Sequence, residues 1–192
     1  MTSTKKFKIG IFGSAEGNFE HVLEKTTQLG NELAKQNITI ITGACSGLPY
    51  QVALAASKNG AEIWEFSHRR NREEQLKSTP GVNLAIYKKI LFIPKNFEFS
   101  DNEEVCRKYR NVTSIANCDG GIIISGRWGT LNEFTNLYDM GKIIGVLTET
   151  GGIADELVEL TKKIYKPGKA KVIFSPSPTE LVGKLVIELK AR

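Results

Sequence analysis

Residues 121–133 read GIIISGRWGTLNE and contain a junction between a strand and a helix. The apolar run at 121–125 is short enough for a buried strand, and a helical pattern begins at Thr130. Glycine, arginine and threonine at such a junction indicate an anion site, because backbone N–H groups at the start of a helix attract negative charge. Glu133 lies one turn into that helix, which raises the question of what an acidic residue beside an anion site acts on.

Strand and helix patterns alternate along nearly the whole chain. Strands are predicted at 8–12, 38–42, 62–67, 90–93, 121–125, 143–147 and 172–174. Helices are predicted at 18–35, 49–58, 102–117, 130–140, 154–164 and 179–190. This alternation predicts one doubly wound, Rossmann-like α/β domain over residues 1–192, with a parallel sheet and helices on both faces. The charged residues 68–80 give no regular pattern.

The composition is that of a soluble, cytoplasmic protein. The chain has 192 residues, of which 41% are hydrophobic and 24% are charged, and no apolar run approaches the roughly 20 residues that span a bilayer. The N-terminus has no signal-peptide pattern. Three cysteines and two histidines, His21 and His68, occur without metal-ligand spacing, so no metal site is expected. Both histidines are predicted to lie on the surface.

The charge distribution does not favour nucleic-acid binding. The formal charge is +5, and the densest basic run is HRRNR at 68–72. Two glutamates follow it at once and no aromatic residue interrupts it, whereas nucleic-acid-binding proteins usually carry a longer basic stripe. We interpret the run as a solvated loop.

Four loops that follow predicted strands are rich in glycine, serine or threonine: 13–18, 43–47, 126–130 and 148–152. In an open parallel sheet, ligands bind beyond the carboxyl ends of the strands. Tight turns use glycine anyway, so any one loop has a purely structural explanation. The four together predict a nucleotide or phosphate ligand. The common dinucleotide, P-loop and nucleophile-elbow motifs are absent.

The pattern G-x-x-G-T-x-x-E at 126–133 resembles the P-G-G-x-G-T-x-x-E signature of the LOG family in the SLOG superfamily. That family was once labelled lysine decarboxylase and includes cytokinin riboside 5′-monophosphate phosphoribohydrolases. Residues 42–47 resemble its T-G-G-x-x-G turn. Arg110-Asn111 lies where the family has Arg-Lys, and this form, like the loop at 151–155, is similar to the related molybdenum-cofactor carrier proteins.

The resemblance implies hydrolysis of the N-glycosidic bond of a nucleoside 5′-monophosphate. Glu133 would stabilise positive charge on the ribose and orient or deprotonate water. Arg110 would fix the ribose or phosphate and keep Glu133 ionised, because a nearby cation lowers the pKa of a carboxylate. The alternative for this pair is a plain buried salt bridge between two helices.

The remaining predicted ligand contacts are shared among the loops and the residue after Arg110. They are Gly13, Ser14, Gly43, Ser46, Gly47, Asn111, Gly126, Arg127, Trp128, Gly129 and Thr130. Arg127 replaces a family glycine, so its side chain either narrows the site or holds the anion directly. Trp128 either stacks on a base or anchors the core. Glu16, Asn18 and Ser46 are candidates for ribose hydroxyls, and Asp119 is predicted to be structural.

A second function class remains open, namely a non-catalytic carrier or sensor of a pterin (molybdenum) cofactor or of a nucleotide-derived ligand. No cofactor is required for the hydrolase. The resemblance also implies a homodimer. Neither a membrane nor a nucleic acid is an expected partner.

Overall fold

Seven parallel strands form one sheet across the described residues, which are 6–17, 19–164 and 166–192 of a computed structural model. They are β1 (Phe7–Gly13), β2 (Ile38–Thr42), β3 (Glu62–Phe66), β4 (Lys89–Leu91), β5 (Gly120–Ile124), β6 (Ile143–Leu147) and β7 (Lys171–Ser175). The order across the sheet is β4-β3-β2-β1-β5-β6-β7. Each neighbouring pair is parallel. The prediction of a doubly wound α/β fold is confirmed.

Strands β2, β5 and β6 are buried along their whole length. Strands that are covered on both faces have near-continuous apolar sequences. For this reason the predicted strands at 38–42 and 143–147 coincide with the observed ones.

Helices cover both faces of the sheet and enclose two hydrophobic cores. In chain order they are α1 (Leu23–Ala34), α2 (Leu48–Lys58), α3 (Arg72–Ser78), α4 (Glu103–Ala116), α5 (Trp128–Asp139), α6 (Gly152–Lys163) and α7 (Pro178–Lys190). Helices α1, α2 and α7 contribute to the core on one face, and α4, α5 and α6 to the core on the other. Within the part of the chain that the structure describes, none of the helices has the length and apolar character needed to cross a membrane.

Helix α3 lies in the segment 68–80, where no regular element was predicted. Asn71 caps it, since its side chain accepts a hydrogen bond from the backbone N–H of Glu74 at 2.9 Å. Glu73 and Lys77 are exposed and form an ion pair across one turn. The buried residue of this helix is polar, Gln75, so no hydrophobic periodicity could reveal the helix.

Other differences concern where the helices begin. The helix predicted at 18–35 consists of a short 3-10 helix, Glu20–Val22, followed by α1, and Asn18 lies outside the described residues. Helix α5 begins two residues before the predicted Thr130. Helix α6 likewise begins two residues before its predicted start at residue 154.

The strand order reverses between β1 and β5, so the loops after these two strands diverge and leave a crevice at the carboxyl edge. The loops after β2 and β3 continue along the same edge, because the strands are parallel. The fold therefore brings the exits of β5, β1, β2 and β3 into one row.

Candidate functional site

A cavity of about 550 Å³ lies at this edge, a volume typical of small-molecule sites, which occupy roughly 300–1,000 Å³. Most of the predicted site residues line it, namely Gly13, Ser14, Gly43, Ser46, Arg110, Asn111, Arg127, Gly129, Thr130 and Glu133. Gly47, Gly126 and Trp128 are not among the lining residues. A wider depression of about 970 Å³ over α1 lies away from the strand exits.

The turn between β5 and α5 is held in place from two sides. Ser125 and Gly126 both have positive φ, at 51° and 100°. The Gly126 N–H donates to the Ser14 hydroxyl at 3.0 Å, and its carbonyl accepts from the N–H of Ile153 at 2.8 Å. A Cβ at Gly126 would overlap Thr130. Gly126 therefore shapes the turn, and its N–H is already used within the protein.

The free N–H groups of this region belong to the first turn of α5. The first N–H groups of a helix have no intrahelical acceptor, and here they are those of residues 128–130, since Leu131 already donates to the Arg127 carbonyl. Gly129 has no atom within 4 Å of an added Cβ. The Thr130 side chain is buried against the cavity. This end of the cavity is suited to an anion.

Arg127 lies at the mouth of the cavity rather than inside the turn. Its Nη2 is 3.5 Å from Oε2 of Glu16, and both side chains are largely exposed. The pair therefore bridges the loops after β1 and β5, with the guanidinium free to reach an entering anion.

Trp128 and Gly47 have roles other than lining the cavity. Trp128 is 84% exposed, which excludes the interpretation of this residue as a core anchor. Gly47 precedes α2 with a φ of 81°, and a Cβ there would overlap the carbonyl of Ser14. The next N–H, that of Leu48, donates to that carbonyl at 2.9 Å. Gly47 thus permits the close approach of two loops.

Arg110 reaches from α4 to the loop after β2. Its Nη1 donates to the carbonyl of Gly43, and a Cβ at Gly43 would overlap the guanidinium. The Nε of Arg110 is buried without a hydrogen-bond partner. Among the described residues no ion pair joins Arg110 to Glu133, so the salt-bridge alternative for these two residues finds no support.

Glu133 is 8% exposed and lies at the cavity wall. Burial raises its pKa to about 7, and the charges of Arg110 and Lys108 oppose that rise. Arg110 lowers the pKa of Glu133, as expected, but desolvation outweighs this effect, so the net pKa is raised and Glu133 is only partly ionised at neutral pH. A carboxyl group with this pKa can both accept and donate a proton near neutral pH.

Asn111 presents an unused acceptor to the same cavity. Its Nδ2 donates to Oδ1 of Asn132 on α5 at 3.1 Å. Its own Oδ1 is buried without a partner. A ligand hydroxyl or amino group would satisfy it.

His68 was expected on the surface and is instead a lining residue of the cavity. Its side chain is 9% exposed, and neither ring nitrogen has a hydrogen-bond partner. Burial, together with the positive charges of Arg110, Arg69 and Arg107, lowers its pKa to about 4, so the imidazole is neutral at physiological pH. The sequence feature that could have placed His68 at the cavity is its position directly after the predicted strand at 62–67, because ligands bind beyond strand ends.

Cys45 and Asp119 have different structural roles. The thiol of Cys45 lines the cavity, but burial raises its pKa against the opposing effect of Arg110, so it is not an activated thiolate. Asp119 accepts a hydrogen bond from the N–H of Lys8 at 2.9 Å and joins the starts of β5 and β1, in agreement with a structural role. In the described part of the chain, no group of three or more His, Cys, Asp or Glu side chains is arranged to hold a metal ion.

The model of the SLOG cluster4 family matches residues 6–182. A comparison with curated protein sequences finds no match. The fold is similar to that of TM1055, with a TM-score of 0.74 and 16% identity over 95% of this chain and 99% of that one. It is also similar to the molybdenum cofactor binding protein from Rippkaea orientalis, with a TM-score of 0.67 and 20% identity over 98% and 99% of the two chains.

A further similarity is to DNA processing protein A from Helicobacter pylori, described by its single-stranded DNA binding mode. The TM-score is 0.63, with 20% identity over 95% of this chain and 81% of that one. At these identities the structural similarities show a shared fold.

Proposed function

The chain belongs to the SLOG cluster4 family, as its motifs predicted, and we propose that it hydrolyses the N-glycosidic bond of a nucleoside 5′-monophosphate. The products are the free base and ribose 5-phosphate. One observation carries the proposal: a buried carboxyl group with a pKa of about 7, Glu133, lies at the wall of a cavity that also contains the N-terminus of α5.

The 5′-phosphate would bind at the first turn of α5. The N–H groups of residues 128–130 and the Thr130 hydroxyl supply donors, and the helix dipole favours the negative charge. The space beside Gly129 admits the phosphate close to the backbone. Arg127 at the mouth adds a positive charge.

The ribose would then lie between Glu133, Arg110 and Asn111. As the bond between C1′ and the base nitrogen breaks, its electron pair goes to the base, and positive charge develops on the ribose. Ionised Glu133 stabilises that charge and accepts a proton from the attacking water, whose oxygen bonds to C1′. The base nitrogen takes up a proton from solvent. The unpartnered Nε of Arg110 and Oδ1 of Asn111 are free to position the sugar hydroxyls.

The test is incubation with a panel of nucleoside 5′-monophosphates and detection of free base by chromatography. Glu133→Gln keeps the shape of the side chain and removes its charge, so base release should fall roughly 10²- to 10⁴-fold. Glu73→Gln on α3 is the matched control, since Glu73 is exposed and does not line the cavity. Release that persists in Glu133→Gln, or is lost equally in both variants, contradicts the proposal.

A second candidate is a non-catalytic carrier or sensor of a pterin cofactor or nucleotide-derived ligand. The Arg110-Asn111 pair and the loop at 151–155 favour it, as does the similarity in fold to a molybdenum cofactor binding protein. Gly152 in that loop packs on Gly126 and so supports the turn between β5 and α5 at residues 126–130, which we call the anion turn. A small molecule extracted from the purified protein, with no base released from any mononucleotide, would favour the carrier.

The homodimer implied by the family resemblance belongs to the same proposal. Size-exclusion chromatography with light scattering on the purified protein tests it. We also propose that nucleic acid is not a partner, and a titration with single-stranded DNA tests this point. Binding that weakens steeply with salt would contradict it.

A further inference from the structure

The cavity extends well beyond the end where a phosphate would bind. It is lined by the exits of β5, β1, β2 and β3, and three spacings of about 4.8 Å between these strands make a row of about 14 Å. Helix α4 runs along the same space, with Glu104, Arg107, Lys108 and Asn111 all facing it. The seven helical steps from residue 104 to residue 111 cover about 10 Å.

The two ends of this elongated cavity are held by different partners. Asn111 is hydrogen-bonded to Asn132 of α5, which places the C-terminal half of α4 beside the anion turn. Arg69, after β3, donates to Oε2 of Glu103 at 2.7 Å, which places the first turn of α4 beside the β3 exit. The β3 end is therefore distinct from the end at α5.

Positive charge dominates the β3 end. Arg69 and Arg107 share a single carboxylate, that of Glu103, and Glu104 is the other acidic residue there. Between the two ends, Lys108 forms no hydrogen bond or ion pair with any described residue, and its charge acts on Glu133.

Buried polar atoms without partners lie at the same end. They are Nε of Arg69 and both ring nitrogens of His68, whose Nε2 is 3.8 Å from Oε1 of Glu103. Buried polar groups in folded proteins are normally hydrogen-bonded, so these unpaired atoms indicate that a ligand group is missing. Because the surrounding side chains are cationic, a negatively charged hydrogen-bond acceptor fits this position best.

The β3 end is also poorly suited to a neutral base. None of the described residues that line the cavity is Phe, Tyr or Trp, so the aromatic surface on which bases commonly stack is missing. Arginine and lysine side chains take its place.

Resting on the hydrolase function proposed above, we infer that the substrate is a 5′-mononucleotide whose base carries an anionic group such as a ring carboxylate. The 5′-phosphate binds at α5, the ribose lies beside Glu133, and the anionic group meets Arg69, Arg107, Lys108 and His68. The charged members of this group, Arg69, Arg107 and Lys108, stabilise the electron pair that the departing base receives when the glycosidic bond breaks.

Two matched pairs of mononucleotides isolate this anionic group. Orotidine 5′-monophosphate differs from uridine 5′-monophosphate by a carboxylate, and nicotinate mononucleotide differs from nicotinamide mononucleotide by a carboxylate in place of an amide. Affinities are measured by calorimetry on Glu133→Gln protein, in which turnover should be roughly 10²- to 10⁴-fold slower. In at least one pair the carboxylate member should bind roughly tenfold more tightly, or more, as one charge-assisted hydrogen bond provides.

Lys108→Met should reduce that preference to less than about threefold, since it removes the cation that has no protein partner. Lys190→Met on α7 should leave it unchanged, because that exposed residue is not part of the cavity. Arg107→Met removes a different cation of the same cavity and should have the same effect, so the test still applies if Lys108→Met does not fold. Thermal unfolding is recorded for all three variants.

The outcomes separate this inference from the function on which it rests. Equal affinities within both pairs, or a preference that survives in folded Lys108→Met and Arg107→Met proteins, overturn the anionic base and leave the hydrolase intact. If no mononucleotide binds and ribose 5-phosphate does not bind either, both proposals fail.

Discussion

Glu133 and Glu65 are two buried carboxyl groups with the same perturbed pKa in different surroundings. Burial raises the pKa of each to about 7, and Arg110 opposes the rise in both. Glu133 lies at the cavity wall. Glu65, on β3 between β2 and β4, is fully buried, and neither of its oxygens has a hydrogen-bond partner.

The difference shows that a raised pKa reports loss of water and not function. Desolvation disfavours the charged form of any carboxyl group, whether or not a ligand can reach it. What distinguishes Glu133 is access to a cavity that also offers anion donors at α5. Glu65 is next to Thr42 in the sheet register and does not line that cavity.

The largest expected effect is the contrast in turnover between the two carboxyl groups. Glu133→Gln should lower kcat roughly 10²- to 10⁴-fold, whereas Glu65→Gln should keep kcat within about threefold, because the substituted group touches no substrate. Steady-state release of free base measures both. A similar loss in both variants would mean that Glu65 takes part in the reaction and that the distinction by access is wrong.

The next effect concerns stability as a function of pH. The folded-state pKa of Glu65 is raised from 4.5 to about 7, so its contribution to stability is fully present below about pH 4.5 and is lost as the pH rises through 7. The loss is up to about 3 kcal/mol for such a group. In urea unfolding between pH 5 and 8, the wild type should lose stability with rising pH.

Glu65→Gln should flatten this pH dependence, because the amide does not ionise. Glu133 has a raised pKa as well, so the single variant removes only part of the slope and Glu65→Gln/Glu133→Gln removes more. A slope that is identical in wild type and Glu65→Gln would show that Glu65 is not charged at pH 8 or has the same pKa in the unfolded chain.

Two glycines of the anion turn give a smaller, paired prediction. Gly126→Ala forces a side chain into a positive-φ position and against Thr130, so the free energy of unfolding should fall by about 1–3 kcal/mol. Gly129→Ala meets no atom within 4 Å, and alanine is the better helix former, so stability should stay the same or rise by up to about 1 kcal/mol.

The affinity for ribose 5-phosphate should be sensitive to substitution at Gly129, where stability is not. The methyl group of Gly129→Ala enters the cavity where the phosphate is expected, so affinity should fall although stability does not. Calorimetry and urea unfolding on the same preparations test this. Unchanged affinity in Gly129→Ala would place the phosphate elsewhere.

The smallest effect is expected at the rim. Arg127 and Glu16 are 68% and 81% exposed, and ion pairs of this kind contribute about 0.2–1 kcal/mol. Arg127→Ala should therefore change stability by less than about 1 kcal/mol. The affinity of this variant for ribose 5-phosphate should drop mainly at low salt, because salt screens an exposed charge. A loss that is equally large at high salt would mean that Arg127 binds the phosphate inside the cavity.

The sequence could predict the architecture because the strands are apolar runs and the turns contain glycine. The strand at 143–147 and the anion turn at 126–130 were located this way. Helix α3 could not be predicted, since its single buried residue, Gln75, is polar. His68 was misplaced because its short basic run favoured a solvated loop, although its position at a strand exit indicated the cavity.

The exposure of Trp128 and the direction of the Glu133 pKa depend on packing that no local pattern contains. Trp128 lies at the first position of α5 with its side chain in solvent. The balance between desolvation and Arg110 at Glu133 depends on how deeply both residues are buried. The positions of Arg110 and Glu133 at one cavity were nevertheless predicted from the motifs alone.

The pH dependence of kcat/KM for base release shows whether a desolvated Glu133 acts in its ionised form. We expect an acid limb with an apparent pKa near 7, as burial sets for this group, in wild type and in Glu65→Gln. A profile that is flat from pH 5.5 to 8.5, or a limb near pH 4.5, would contradict it.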